Sequence, residues 1–250
     1  MIQKLELRSS LSPEDRAALL ALPHSVRRFE PGGWIVREGE TSRSCQLILS
    51  GFVCRHKIVS DGGRQIVSVH TRGDLVDLEG ALLSHADHSI QALGSVEAAV
   101  ISHAELLSLA FSRPAVGRAL WTDTLVDASI HREWVANVGR RDARSRLAHL
   151  LCEQAVLQQA AEIGTPIEFH LPLTQEQIAD ATGLTGVHVN RVLRSLSEEG
   201  LIERQKKSIT IADWQSLASV AGFSDDYLHI QPEEAVRSRK SVQERASNAE

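Results

Sequence analysis

The chain has 250 residues, 42% hydrophobic and 24% charged, enough for one large or two modest domains with their own cores. With 27 Lys and Arg against 32 Asp and Glu, net charge is −5, so any nucleic-acid surface must be local. Cys45, Cys54 and Cys152 are an odd, scattered set that excludes a disulfide framework and a zinc quartet, and they read as small buried hydrophobes. No apolar run nears the roughly 20 residues that span a bilayer, and MIQKLELRSS has no signal core, so a cytoplasmic protein is expected.

Ser12-Pro13-Glu14-Asp15 reads as a helix start: a Ser cap, Pro at the first position and acids on the exposed N–H groups. That helix carries Leu19, Leu20 and Leu22 and stops near Pro23. From His24 to about His103 short β-rich runs alternate with turns at Pro31-Gly32-Gly33, Gly51, Asp61-Gly62-Gly63, Gly73-Asp74 and Gly94. About eight strands at 8–12 residue spacing predict a closed or sandwiched antiparallel β domain.

HAELLSLAFS predicts a short helix, and Pro114 starts a long one reaching about Gly139. Leu120, Thr124, Ala128, His131, Val135 and Val138 recur at steps of three and four, with Trp121, Leu125 and Trp134 on a neighbouring stripe. Two faces to bury are more than one β domain needs, so the first stripe is expected to pack against a second copy. Arg140-Arg141-Asp142-Ala143 reads as a hinge. An amphipathic helix with Leu147, Leu150, Leu151 and Val156 follows, ended by Gly164-Thr165-Pro166, and IEFHLPL is extended. The tail from 231 to 250 is polar and charged and is expected to be disordered.

Thr174-Gln175-Glu176-Gln177 is a capping sequence, with Thr174 as cap and Gln177 at the reciprocal position. Gly183 takes a turn that needs positive φ, Leu184 plugs it into the core, and Thr185 caps a second helix. Val189, Val192, Leu193 and Leu196 face inward, leaving Gly186, Val187, His188, Asn190, Arg191 and Arg194 outward. This is the spacing of a DNA-binding helix-turn-helix. Arg can contact guanine through two bonds and Asn can read adenine. ERQKKSITIAD then reads as a hairpin wing whose tip, Lys206 and Lys207, suits phosphate. From Arg191 to Lys207, five basic residues stand against three acidic ones.

With these parts in this order, the sequence resembles the Crp/Fnr family of bacterial transcription regulators over about residues 12–222. LTQEQIADATGLTGVHVNRVLRSLSEEGLIERQKKSITI is the most specific segment. The resemblance implies an α+β chain: an antiparallel β-roll sensor over 1–113, a dimerisation helix over 114–139 and a winged helix-turn-helix over 141–222. It implies a homodimer on a palindromic duplex that recruits or blocks RNA polymerase. Arg191 matches the family's guanine-contacting arginine, and Thr174, Gln175 and Thr185 join the expected interface. The positions that usually read Arg-Glu or Glu-x-x-Ser are Gly186, Val187, His188 and Asn190 here, so the operator is expected to differ or to lean on shape.

The sensor departs further. Asp77-Leu78 or Leu78-Glu79 stands where cyclic-AMP-binding members have Gly-Glu, and His88-Ser89 where they have Arg-Ser. Histidine cannot match the planar, permanently charged fork of arginine, so cyclic AMP is not expected. The amino-terminal cysteine cluster of the oxygen-sensing branch is missing, so an iron–sulfur cluster is not expected either. A haem reading rests weakly on His85 and His88, with His70 and His103 nearby in sequence, against ordinary surface or turn histidines. A small effector between the roll and the long helix, touching Leu78, Glu79, His88, Ser89, Trp121 and Leu125, stays open, as does no ligand at all. No nucleophile elbow, phosphate loop or metal-binding helix pair is present, so an enzyme is not expected. The alternative function is a sensor module whose winged helix docks protein rather than DNA.

Overall fold

The computed structural model describes residues 1–158 and 166–230. The helix end expected at Gly164-Thr165 and the tail 231–250 lie outside the described residues. A short helix, α1 (Ile2–Glu6), opens the chain; no repeat marks it, and it is held by burial of Leu5. In α2 (Pro13–Leu20) the Ser12 hydroxyl accepts from the Asp15 amide while the Asp15 carboxylate accepts from the Ser12 amide. Leu19 and Leu22 turn inward; Leu20 faces solvent.

Eight strands follow: β1 (His24–Phe29), β2 (Trp34–Val36), β3 (Ser44–Ser50), β4 (Val53–Ile58), β5 (Arg64–His70), β6 (Leu75–Val76), β7 (Ser89–Ala92) and β8 (Val96–Ser102). They form two antiparallel four-stranded sheets, ordered β1-β8-β3-β6 and β2-β7-β4-β5. Residues such as Phe29, Ile48, Val53, Ile90 and Val96 fill the space between them. Gly51, at φ +86°, makes the β3–β4 turn; a Cβ there would run into the Ser95 carbonyl oxygen.

Then α3 (His103–Ser112) leads to α4 (Pro114–Arg140), whose 27 residues span about 40 Å. Its inner side carries Val116, Ala119, Val126 and Trp134. Leu120, expected on the seam for a second copy, is 5% exposed and packs into this chain's own core with Leu5, Leu19 and Ile101. Trp121 and Leu125, expected against the roll, face outward instead, at 70% and 57% exposure. Thr124 and Val135 are exposed beside them, and Ala128, His131 and Val138 are half-buried. Of the expected stripe only Leu120 is buried, because the roll and the first two helices take its side, and Trp121 and Leu125 join the outward side.

Arg141 breaks the helix in an extended conformation, and the Asp142 carboxylate caps α5 (Ala143–Leu157) by accepting from the Ser145 amide. Next come β9 (Ile167–His170), α6 (Gln175–Thr182), α7 (Gly186–Glu198), β10 (Ile202–Gln205), β11 (Ser208–Ile211) and α8 (Trp214–Ala221). The strands make a sheet ordered β10-β11-β9. A 3-10 turn at Asp226–Leu228 then returns to α4. One continuous core joins Phe52, Cys54, Ile66 and Val69 of the roll to Trp134 and to the helices α5, α6 and α7. Among the described residues no helix is long and apolar enough to cross a membrane.

Candidate nucleic-acid interface and the sensor beneath it

Local chemistry sets the α6–α7 geometry. The Thr174 hydroxyl accepts from the Gln177 amide at 3.1 Å, and the Gln177 side chain accepts from the Thr174 amide at 2.9 Å, fixing the start of α6. Gly183 ends it in the left-handed region (φ 62°, ψ 37°), with Val138 and an Arg146 nitrogen close by. The Thr185 hydroxyl accepts from the His188 amide and starts α7. Val189, Val192, Leu193 and Leu196 are buried, so the opposite side of α7 must face out.

That outer side, with the start of α6, forms an open hollow lined by Gln175, Glu176, Gly186, Val187, Asn190, Arg191 and Arg194. Val187 is 84% exposed, with nothing among the described residues to cover it. His188 is half-buried at the edge. Arg194 donates to Glu198 at 2.7 Å, an exposed pair that a phosphate can compete for. Glu176 also lines the hollow, although in the sequence it looks like an ordinary acid in a helix's first turn. At the wing tip, Lys206 adopts φ 51° and both Lys206 and Lys207 are exposed.

Basic residues on α5 hold the reader in place. Arg144 makes a two-armed ion pair with Glu199, past the end of α7. Arg146 donates to the Thr182 carbonyl at 2.7 Å and to the Arg141 carbonyl at 2.9 Å, tying the helix-turn-helix corner to the hinge. From the roll, Arg64 pairs with Asp180 at 2.7 Å and the Gln65 amide donates to the Asp180 carbonyl at 2.7 Å.

In the sensor, Leu78, Glu79, His88 and Ser89 are each engaged within the chain. Glu79 pairs with Arg55 of β4, and Arg55 pairs again with Asp127 of α4. His88 Nε2 lies 3.3 Å from Glu79 and its Nδ1 lies 2.7 Å from Asp87. The Ser89 hydroxyl accepts from the Glu38 amide, and Leu78 packs into the apolar core. Burial alone would raise the Asp127 carboxyl, but the Arg55 guanidinium outweighs it and holds Asp127 well below the usual carboxylate range. Between the roll, α4 and α5 lies a cavity of about 60 Å³, and a more open apolar pocket of about 330 Å³ lies between β5 and α4, lined by Ile66, His131, Trp134, Val135 and Val138. Trp121 and Leu125 line neither of them. Arg55 and Asp127, 72 residues apart, carry no motif that sequence reading could find.

The histidines do not converge. His85 is paired with Ser84, His70 with the Ser68 hydroxyl and His103 with the Asp77 carbonyl. Burial pushes His70 down to about 4. The three cysteines sit on β3, β4 and α5, all buried, and burial raises Cys45 and Cys152 to about 12 and Cys54 to about 11. Among the described residues no group of three or more His, Cys, Asp or Glu is placed to hold a metal.

Residues 145–220 match the Crp-like helix-turn-helix domain, and residues 26–113 match the cyclic nucleotide-binding domain. A probable transcriptional activator of Rhizobium leguminosarum is 30% identical over 199 residues, covering 78% of this chain and 80% of that protein. The transcriptional activator protein FnrL of Cereibacter sphaeroides is 28% identical over 214 residues, covering 80% and 82%. Among solved structures, FixK2 from Bradyrhizobium japonicum shares the fold with a TM-score of 0.74 at 24% identity, over 81% of this chain and all of that one.

Proposed function

This chain belongs to the Crp/Fnr family and is a DNA-binding transcription regulator; from that premise we propose how it reads DNA and what its sensor does not take. Two copies join along the outward stripe of α4, through Trp121, Leu125, Ala128 and Val135. That places two α7 helices on successive major grooves of a palindromic site in the cytoplasm, with RNA polymerase as the partner. The exposed outer side of α7 carries this reading, with Arg191 and Asn190 exposed beside Val187. Arg191 reads a guanine, Asn190 lies where an adenine can be read, and Lys206 and Lys207 hold phosphates. Val187 accepts no hydrogen bond, so the operator differs from one read by a glutamate there. The sensor takes no cyclic AMP: Arg55 is already paired with Glu79 and Asp127, and His88 stands where cyclic-AMP-binding members have arginine.

Arg191→Ala tests the interface. Anisotropy with a duplex obtained by binding-site selection should show a loss of about 1–3 kcal/mol per half-site and a relaxed guanine preference. Unchanged base preference would refute the assignment.

A further inference from the structure

Beyond α8 the chain does not end at the reader. Residues 226–228 turn back onto α4 and are clipped at two adjacent residues, Tyr227 and Leu228. On the reader side, the Tyr227 hydroxyl donates to Glu153 Oε2 at 2.7 Å, while Trp134 Nε1 of α4 donates to the other oxygen at 2.8 Å. On the sensor side, Leu228 is wholly buried and its carbonyl accepts from Arg8 Nε at 2.9 Å; Arg8 also pairs with Asp123 of α4 at 3.2 Å. Glu153 lies on α5, 1% exposed, and both of its donors are neutral. An anion with that surrounding is costly to bury.

We propose that Tyr227 is a positioning residue on a C-terminal strap, fixing the DNA-binding helices on α4 through Glu153, with a grip set by the proton state of that carboxyl. The proposal deepens the DNA-reading model above and rests on it. Other charged groups around Glu153 are placed to modulate the grip. Glu133 pairs with Arg141 at 2.6 Å and lies 3.3 Å from His149, whose ring stacks on Tyr227 at 5.8 Å. Across the small cavity stand Lys4, Arg8, His70, Asp74, Asp123 and Asp127.

Burial raises Glu153 to about 7, the Tyr227 and Trp134 bonds opposing it in part. Once the strap lets go, the carboxyl meets water and titrates as an ordinary glutamate, near 4.3 on average. The strapped state therefore binds the extra proton. Its hold is complete at low pH and weakens as pH rises toward 7, by up to about tenfold per pH unit.

The test is hydrogen exchange on the full chain at about pH 5.5 and 7.5, reading protection factors over residues 223–230, with duplex affinity at the same two values. Wild-type protection should fall by about tenfold or more, and affinity should fall with it. Glu153→Gln should remove most of that fall in both, leaving only the smaller slope that Asp123, raised to about 6 by burial, and His149, pushed down to about 4 by burial, contribute with opposite signs. Tyr227→Phe, which keeps the ring, should lower protection several-fold at the higher pH, where the carboxylate has lost a donor. His188 faces DNA in wild type and variants alike, so their ratio isolates Glu153. Flat wild-type protection, or protection that falls while affinity in wild type and Glu153→Gln stays equal, would overturn the proposal. A strap that titrates in a chain that binds no duplex would instead overturn the DNA-reading model.

Discussion

The Arg55–Asp127 pair ties the roll to α4, and its energetic role can be measured. The Arg55 side chain is 6% exposed, and its partners Asp127 and Glu79 are 28% and 24% exposed. Removing one partner of a fully buried pair costs about 3–5 kcal/mol, because the other charge is left without compensation. Arg55→Met orphans two carboxylates, each with some access to water, so the lower end, about 3 kcal/mol, is expected. Asp127→Asn keeps an acceptor for Arg55 and leaves Glu79 in place, so about 1.5 kcal/mol is expected. In the double variant the neutral amide no longer needs a cation, and the total should stay at about 2.5–3 kcal/mol. The coupling is then roughly 1.5–2 kcal/mol. Urea unfolding at one protein concentration and neutral pH measures all four chains, with concentration fixed because dimerisation enters the stability. Single effects that add to within about 0.5 kcal/mol would refute the coupling.

Cyclic AMP at about 100 times any useful Kd would add about 2.7 kcal/mol, or roughly 5–10 °C in a chain of this size. No such thermal shift is expected, and one would show that the roll opens for the nucleotide. Leu125→Glu should leave one chain folded, since the residue is outward-facing, but convert the dimer to monomer in sedimentation; an unchanged dimer would place the seam elsewhere. His70 is pushed down to about 4 by burial, so it stabilises the fold as a neutral ring, and that contribution drains as pH falls from about 6.5 toward 4. His70→Gln should therefore gain on wild type by up to about 1.4 kcal/mol per pH unit across that window, read from urea midpoints. A constant difference across the window would refute the assignment.

Local rules account for much of what the sequence discloses. Strand spacing yields the eight strands of the roll, and Thr174, Gly183 and Thr185 place α6 and α7 through capping and a left-handed turn. Such signals act within four residues. What they miss is long-range: Arg55 meets Asp127 across 72 residues, and Tyr227 meets Glu153 across 74. On α4, steps of three and four describe a stripe but not which side the roll occupies. Leu120 and Leu125 exchange roles for that reason. Asp213, accepting from the Ser216 amide, and left-handed Gly222 bracket α8 as cap and stop, a local signal that the hairpin beside it obscures.

The core that runs from Phe52 and Ile66 through Trp134 into α5 and α6 also bears on how freely the two ends of the chain can be recombined. Its halves must match in shape, so the reader is not a cassette. A chimera that grafts this reader onto a relative's roll would meet a mismatched apolar wall at the junction. It would either expose that wall or repack it, and could lose regulation while still binding DNA. Swaps that carry the β4–β5 face together with α5 and α6 keep the matched surfaces as one inherited unit.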